Sequence, residues 1–324
     1  MAFSQSSRGS VIGSGGRSMR QHAFARLGIA LNLPVSAPDI LARAGLDFEV
    51  TTRPVLTLDD DGNTVTIPGK RATFRADESR PLGVVGERYE PFQNTAMRDA
   101  LETMAGPSAI IENGGTTDGG AGTWLLAQAP SLDFTIGKDG ARGYMLIENR
   151  HDGMGSLSVT PVSVRQVCMN GMMMTIRLAA SRFRHSASIH VRMANAAASY
   201  AEGVAMFSGT VDVLRRLAQV EATEQTMLKL MRQTWEVTTE TLKDETDRAK
   251  TIRANRERAI LRIRESATCN VEGTAGSVFS DLQAVTEYLD HGIADESGES
   301  AIFGSSAVRK EEATAIAMEL AGLV

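Results

Sequence analysis

The stretch "GYMLIENRHDGMGSLSVTPVSVRQVC", Gly143–Cys168, decides the fold. Apolar and β-branched residues fill "GYMLIEN" and "SLSVTPVSVRQVC", and Gly153 and Gly155 break the chain between them at "RHDGMG". Two extended runs joined by a glycine-bearing turn predict neighbouring antiparallel strands. The same grammar extends toward the N-terminus through "FEVTTRPVLTL", a hairpin signal at "DDDGN", then "TVTIPG", "RATFRAD", "LGVVGERY" and "GTWLLAQAP". Val, Thr, Ile and Phe at period-two spacing, divided by Asp-Gly, Pro-Gly and Gly-Gly, predict a mostly antiparallel sheet.

Helical signals interrupt and then replace this pattern. "SAPDILARAG" predicts a short helix with Ser36 as N-cap and Gly45 as stop. "NTAMRDALETMAG" predicts another, with Met97, Leu101 and Met104 on one face, Asn94 as cap and Gly106 as terminator. Near Asn170 the period changes, and Met173, Ile176, Ala180 and Phe183 make one apolar helical stripe. Val204, Phe207, Val211 and Leu214 make another, as do Met227, Leu230, Met231 and Trp235, with no proline from 195 to 266. These predict two or three long helices that pack on the sheet or on another subunit. Val278, Leu282, Val285 and Leu289 stripe a shorter helix, and a last one starts at about Lys310. The expected class is α+β, with an antiparallel β-sheet and packed helices in the N-terminal two-thirds and long helices in the C-terminal third. Its expected units are a Ser/Gly-rich flexible arm over 1–35, an α+β core over 36–194, a helical and oligomerising region over 195–292, and a loose linker with a terminal helix over 293–324.

Composition narrows the function. Among 324 residues, 42% are hydrophobic and the formal charge is −5, which fits a folded globular chain and not one that coats nucleic acid by overall charge. Two cysteines, Cys168 and Cys269, stand about a hundred residues apart with no C-x-x-C, which points to a reducing cytoplasm and away from a disulfide framework or structural zinc. Neither a membrane-length apolar run nor a signal core is present.

Charge is unevenly distributed. From Arg142 to Tyr200 the basic residues are all arginine: Arg142, Arg150, Arg165, Arg177, Arg182, Arg184 and Arg192, against only Glu148 and Asp152. The planar guanidinium fork holds phosphate oxygens with paired hydrogen bonds, so this bias favours an anionic partner. A second basic stretch, Arg248–Arg264, includes Arg253, Arg256 and Arg262 and contains Glu257 as its one acid. Such a stretch is ordinarily a solvated helix face, and polyanion binding or subunit pairing is its functional alternative.

"RHDGMG" reads as a tight turn carrying Arg150 and His151, followed by a strand presenting Arg165 and a helix start near Asn170. Free amides at a helix start, beside arginines on strand and turn, make an anion site without catalysis. The structural alternative leaves Asn170 as a plain helix cap and Asp152 as a loop cap. No P-loop is present, and "GGTTDGGAG" lacks its lysine. The five histidines form no H-x-H or H-E-x-x-H arrangement, so no metal and no cofactor is expected.

An ordered series of stretches resembles phage/plasmid-like proteins that carry domain of unknown function 932. The series runs "AGLDFEV", Ala44–Val50; "LGVVGERYEPFQN", Leu82–Asn94; "TWLLA", Thr123–Ala127; "NRHDGMGSL", Asn149–Leu157; "TPVSVRQVCMNGM", Thr160–Met172; "RHSASIHVRM", Arg184–Met193; and "GTAGSVFSDLQAVTEYLDH", Gly273–His291. The resemblance implies a mobile-element protein and extends to a likeness with single-strand annealing proteins of the Red-beta and RecT kind. Those bind single-stranded DNA in an arginine-lined groove and assemble into rings or filaments without ATP.

The leading expectation is therefore an oligomeric, non-enzymatic, ATP-independent protein that binds and anneals single-stranded DNA in recombination, beside phage or host recombination partners. Arg142, Arg150, His151, Arg165, Asn170, Arg177, Arg182, Arg184 and Arg192 would line its phosphate track, and Arg253, Arg256 and Arg262 a secondary face. One rival is a metal-dependent nuclease or hydrolase using His151 and Asp152, with a metal recruited by His185. The other is a non-catalytic anti-defence protein that grips a host protein through its long helices.

Overall fold

The computed structural model describes residues 22–167, 171–172, 181–183, 196–236, 246–293 and 298–323. Its centre is an antiparallel sheet. Strand β1 (Ile29–Pro34) lies at one edge, followed by β5 (Ile110–Thr117), β6 (Gly122–Gln128), β8 (Asp139–Arg150) and β9 (Leu157–Arg165). Short β7 (Phe134–Ile136) folds back on β8. At the far edge β9 pairs with β10 (Gly171–Met172) and, further along, with β11 (Ser181–Phe183). All nine residues of β9 are buried. A second antiparallel sheet, β2 (Val50–Leu58), β3 (Thr64–Arg75) and β4 (Pro81–Gly86), is built around the "DDDGN" turn.

One face of the large sheet meets helix α2 (Ile40–Arg43), helix α3 (Asn94–Ala105) and the base of the second sheet. Ile40, Leu46, Met97, Leu101, Ile111, Leu125, Met145, Ile147 and Val159 close that core. Strand alternation sends Trp124, Leu126, Tyr144, Leu146 and Val162 to the other face. There Ala23 and Phe24 of α1 (Ala23–Leu27) and Ala301 and Ile302 of α8 (Glu299–Ile302) cover them.

The helical part consists of α4 (Ala196–Leu217), α5 (Glu224–Glu236), α6 (Asp247–Arg264), α7 (Val278–Glu287) and α9 (Ser305–Leu320). The expected apolar stripes meet here: Phe207, Val211, Leu214, Met227, Leu230, Met231, Val278, Leu282 and Val285 share one core with Ala313 and Ala317. Every residue of α7 is buried, so the other helices surround it. The long helices thus find apolar partners within this chain.

Several expectations need correction. Residues 23–34 are not part of a flexible arm: Phe24 is wholly buried, and β1 hydrogen-bonds to β5. Text after 293 is not simply loose, because Ala301 and Ile302 complete a core. No helix starts at Asn170 and runs through Phe183, since Gly171–Met172 and Ser181–Phe183 are strands on β9. The edge of β9 supplies backbone partners that a three-and-four spacing of apolar residues cannot reveal. The helix from Ser36 is one turn beginning at Ile40, and Ser36 instead donates to the Pro107 carbonyl.

Candidate nucleic-acid interface

The turn at Asn149–Gly155 is a clasp that buries Asn149 and His151 and leaves its tip, Gly153–Gly155, exposed. Its backbone is stitched at both ends: His151 N–H donates to the Ala121 carbonyl at 2.7 Å, and the Thr73 hydroxyl donates to the His151 carbonyl at 2.7 Å. The His151 side chain is fully buried, edge-on to Phe48, with Nε2 3.3 Å from Asn94 Oδ1 and 3.4 Å from Asn149 Nδ2. Asn149 also donates to the Phe92 carbonyl, and Tyr89 Oη to the Arg150 carbonyl. Asn94 does not cap α3, because its amide donates inward to the Leu46 and Phe48 carbonyls.

The glycines of this region serve close approach. Gly153 has φ +80°, the left-handed region that favours glycine, and a Cβ on Gly83 would lie 2.5 Å from the Asp152 backbone. Turn and β4 therefore touch backbone to backbone. The clasp joins both sheets to the start of α3, and it draws together "LGVVGERYEPFQN" and "NRHDGMGSL".

Three members of the expected phosphate track, Arg150, His151 and Arg165, are engaged within the protein. His151 is sealed in the clasp and cannot meet a polyanion. Arg165 is 2% exposed and forms an ion pair with Asp139, also 2% exposed, while its Nη2 donates to the Thr268 carbonyl at 2.6 Å. Arg150 is engaged by Asp152 and, at 2.9 Å, by Asp118. Partial burial pushes the Asp152 carboxyl up, but hydrogen bonds from Arg150 and the Met154 N–H win and hold it below the ordinary carboxylate range. Asp118 comes from the β5–β6 turn and Asp139 from the head of β8, so sequence proximity to Arg150 and Arg165 could not reveal these two. Among the members whose burial is described, Arg142, on β8, is exposed. The backbone register sets Arg182 opposite Ser158. Asn170, Arg177, Arg184 and Arg192 lie outside the described residues.

Neither does the turn form an acid–base pair. Asp152 faces Arg150 and the Met154 amide while His151 faces Asn94 and Asn149, so imidazole and carboxylate diverge. His185 lies outside the described residues, among which no three His, Cys, Asp or Glu side chains are grouped to hold a metal ion. A separate polar centre is found on the opposite face of the sheet. Glu112 accepts from Tyr144 Oη at 2.9 Å and Gln128 Nε2 at 3.0 Å, and lies 3.0 Å from His22 Nε2. Burial raises its carboxyl, yet the hydrogen bonds hold it below its ordinary value. The sequence reading missed Glu112, Asp139 and Asp118, since an isolated acid in strand or turn text carries no spacing signal.

Among the described residues, α6 carries a run of free cations. Arg248, Lys250, Arg253, Arg258 and Arg262 are exposed, and none of the five is in an ion pair with a described carboxylate. At 3.6 residues per turn Arg248, Arg258 and Arg262 share the outward face and span roughly 21 Å of helix. Arg256 departs from expectation: it sits on the inward flank, part-buried, with its guanidinium 4.3 Å from the Trp235 ring centroid, and burial lowers its pKa. Arg264 is spent on Asp281 at 2.6 Å. Arg253 and Arg262 remain available, while Arg256 serves packing.

Fold and site together define an α+β protein with a sealed polar clasp and a cationic helix face. The chain belongs to the family described as domain of unknown function (DUF932), whose model matches residues 81–319. No curated protein and no solved structure matches it. Among the described residues no helix is long and apolar enough to cross a membrane.

Proposed function

We propose that this chain is a non-catalytic, cytoplasmic protein of a phage or other mobile element that binds single-stranded DNA, and anneals it as a homo-oligomer in recombination. One observation carries the reading: α6 presents Arg248, Arg258 and Arg262 outward with no described carboxylate to neutralise them. The contact surface therefore differs from the turn-strand-helix track, whose Arg150 and Arg165 are occupied by carboxylates. Guanidinium groups along a rigid helix contact phosphates without reading sequence. With 5% aromatic residues, stacking on bases contributes less than phosphate contact.

Fluorescence anisotropy of labelled single- and double-stranded oligonucleotides over a salt series tests this. Replacing Arg248, Arg258 and Arg262 by alanine should reduce the log–log salt slope by about 2 on single strands. No binding by the native chain at low salt, or an unchanged slope in the triple variant, overturns it. Retention of one host protein by a chain that ignores DNA would instead favour the anti-defence reading.

A further inference from the structure

Helix α6 is held by the core along only half its length. Arg253 and Ile260 are seven residues apart, which places them within roughly 20° of each other around the helix. Ile260 is 0% exposed, yet Arg253 is exposed. The core therefore covers the C-terminal half and stops short of the other. From Thr246 to Asn255 every residue but Ala249 is exposed, Ile252 among them, over roughly 15 Å of helix. Thr246 caps this half by accepting from the Ala249 N–H at 3.3 Å, and Asp247 lies in the first turn, so it stays helical without a packed face.

The cations of the free half are not confined to one side. At about 100° per residue, Arg253 lies roughly 140° and Lys250 roughly 200° around the helix from Arg248. All three are exposed, and none is in an ion pair with a described carboxylate. Between Arg248 and Lys250, on the outward side, stand Thr251 and Ala254, both short and exposed. The Thr251 hydroxyl is turned back onto the Asp247 carbonyl at 2.8 Å. Arg258 follows one turn on and lies along its own helix, with Nε donating to the Ala254 carbonyl at 3.2 Å and Nη2 to Asn255 Oδ1 at 2.5 Å. The free half is thus a low ridge with cations on both flanks.

We infer that this half of α6 enters the major groove of duplex DNA, so that the chain holds the annealed product as well as the single strands. Arg248 reaches one phosphate backbone, and Lys250 and Arg253 reach the other. A single strand laid along the helix meets one flank, and a flat anionic surface does the same. Two backbones with a gap between them meet both. The major groove is about 12 Å wide, and a helix with its side chains is roughly 10–12 Å across. Asp247, the one acid of this half, stands on the side that faces the groove floor, where cytosine amino groups are donors and no phosphate opposes it. This inference rests on the proposed function and names the second form of DNA that the same helix takes.

Fluorescence anisotropy of the full chain with matched single- and double-stranded oligonucleotides tests it, with circular dichroism to show that each variant folds. The native chain should bind both forms. Lys250→Ala/Arg253→Ala should weaken duplex binding at least about ten-fold and lower its log–log salt slope by about 2, while affinity for single strands changes less than about two-fold. Duplex whose cytosines carry neutral glucosyl groups filling the major groove should bind at least about ten-fold more weakly than plain duplex. Four results overturn the inference: a native chain that binds single strands but not duplex, an equal loss on both forms in the Lys250 and Arg253 variant, no loss on duplex in that variant, or undiminished binding of the glucosylated duplex. A native chain that binds no single strand overturns the proposed function instead, so the two failures are told apart.

Discussion

Arg165 at the end of β9 and Asp139 at the start of β8 form an ion pair with both side chains 2% exposed. A lone buried charge is far costlier than a buried pair. Arg165→Ala should therefore lower stability by about 3–5 kcal/mol in urea unfolding, because Asp139 is left uncompensated. Arg165→Met combined with Asp139→Leu should recover most of that loss. Neither variant should alter the salt dependence of DNA binding, and a lowered slope in a folded Arg165 variant would return this residue to the binding surface.

His151 is fully buried and hydrogen-bonded to Asn94 and Asn149, so its role is to hold the clasp. His151→Ala should cost about 3 kcal/mol through a cavity and broken hydrogen bonds. Well below its melting temperature the variant should bind DNA as the native chain does. Loss of a metal-dependent cleavage activity without loss of stability would contradict this.

Asp152 makes the clasp sensitive to acid. Hydrogen bonds from Arg150 and Met154 depress its pKa against the opposing effect of burial. Because the folded value lies below the unfolded one, the stabilisation is complete well above about pH 4 and is lost as pH falls through the folded value. Asp152→Asn should accordingly destabilise by about 2 kcal/mol at neutral pH. Urea titrations at stepped pH should show the difference shrinking as the medium becomes acidic.

Cys269 is wholly enclosed, and burial raises its thiol pKa to about 11. At pH 8 only roughly a thousandth of such a thiol is ionised, and access is closed as well. In a Cys168→Ser background, Ellman's reagent should react with the native chain no faster than it unfolds. Prompt reaction would mean that the enclosure around α7 opens readily.

Much of the architecture was legible because periodicity is local. Apolar alternation in "GYMLIEN" and "SLSVTPVSVRQVC" and the stripes at Phe207–Leu214, Met227–Trp235 and Val278–Leu289 need only chain geometry to identify a buried face. Gly171–Met172 and Ser181–Phe183 are strands where a helix was expected because both depend on the edge of β9, a partner that local spacing does not disclose.

The candidate site was less legible. Asp118 and Asp139 reach Arg150 and Arg165 only through strand pairing and turns, and neutralisation is a question of distance in space. The same holds elsewhere: "LGVVGERYEPFQN" and "NRHDGMGSL" meet in one clasp, and the Gly273–His291 stretch supplies the enclosed helix α7 with Asp281, which pairs with Arg264, and beyond it Asp290, which pairs with Lys310. By itself the sequence determined the α+β class, the strand and helix faces, and the presence of two arginine-rich regions. Only the tertiary structure decided which arginines are free, because a guanidinium's availability depends on which distant carboxylates the fold brings within reach and on how much water it leaves around them.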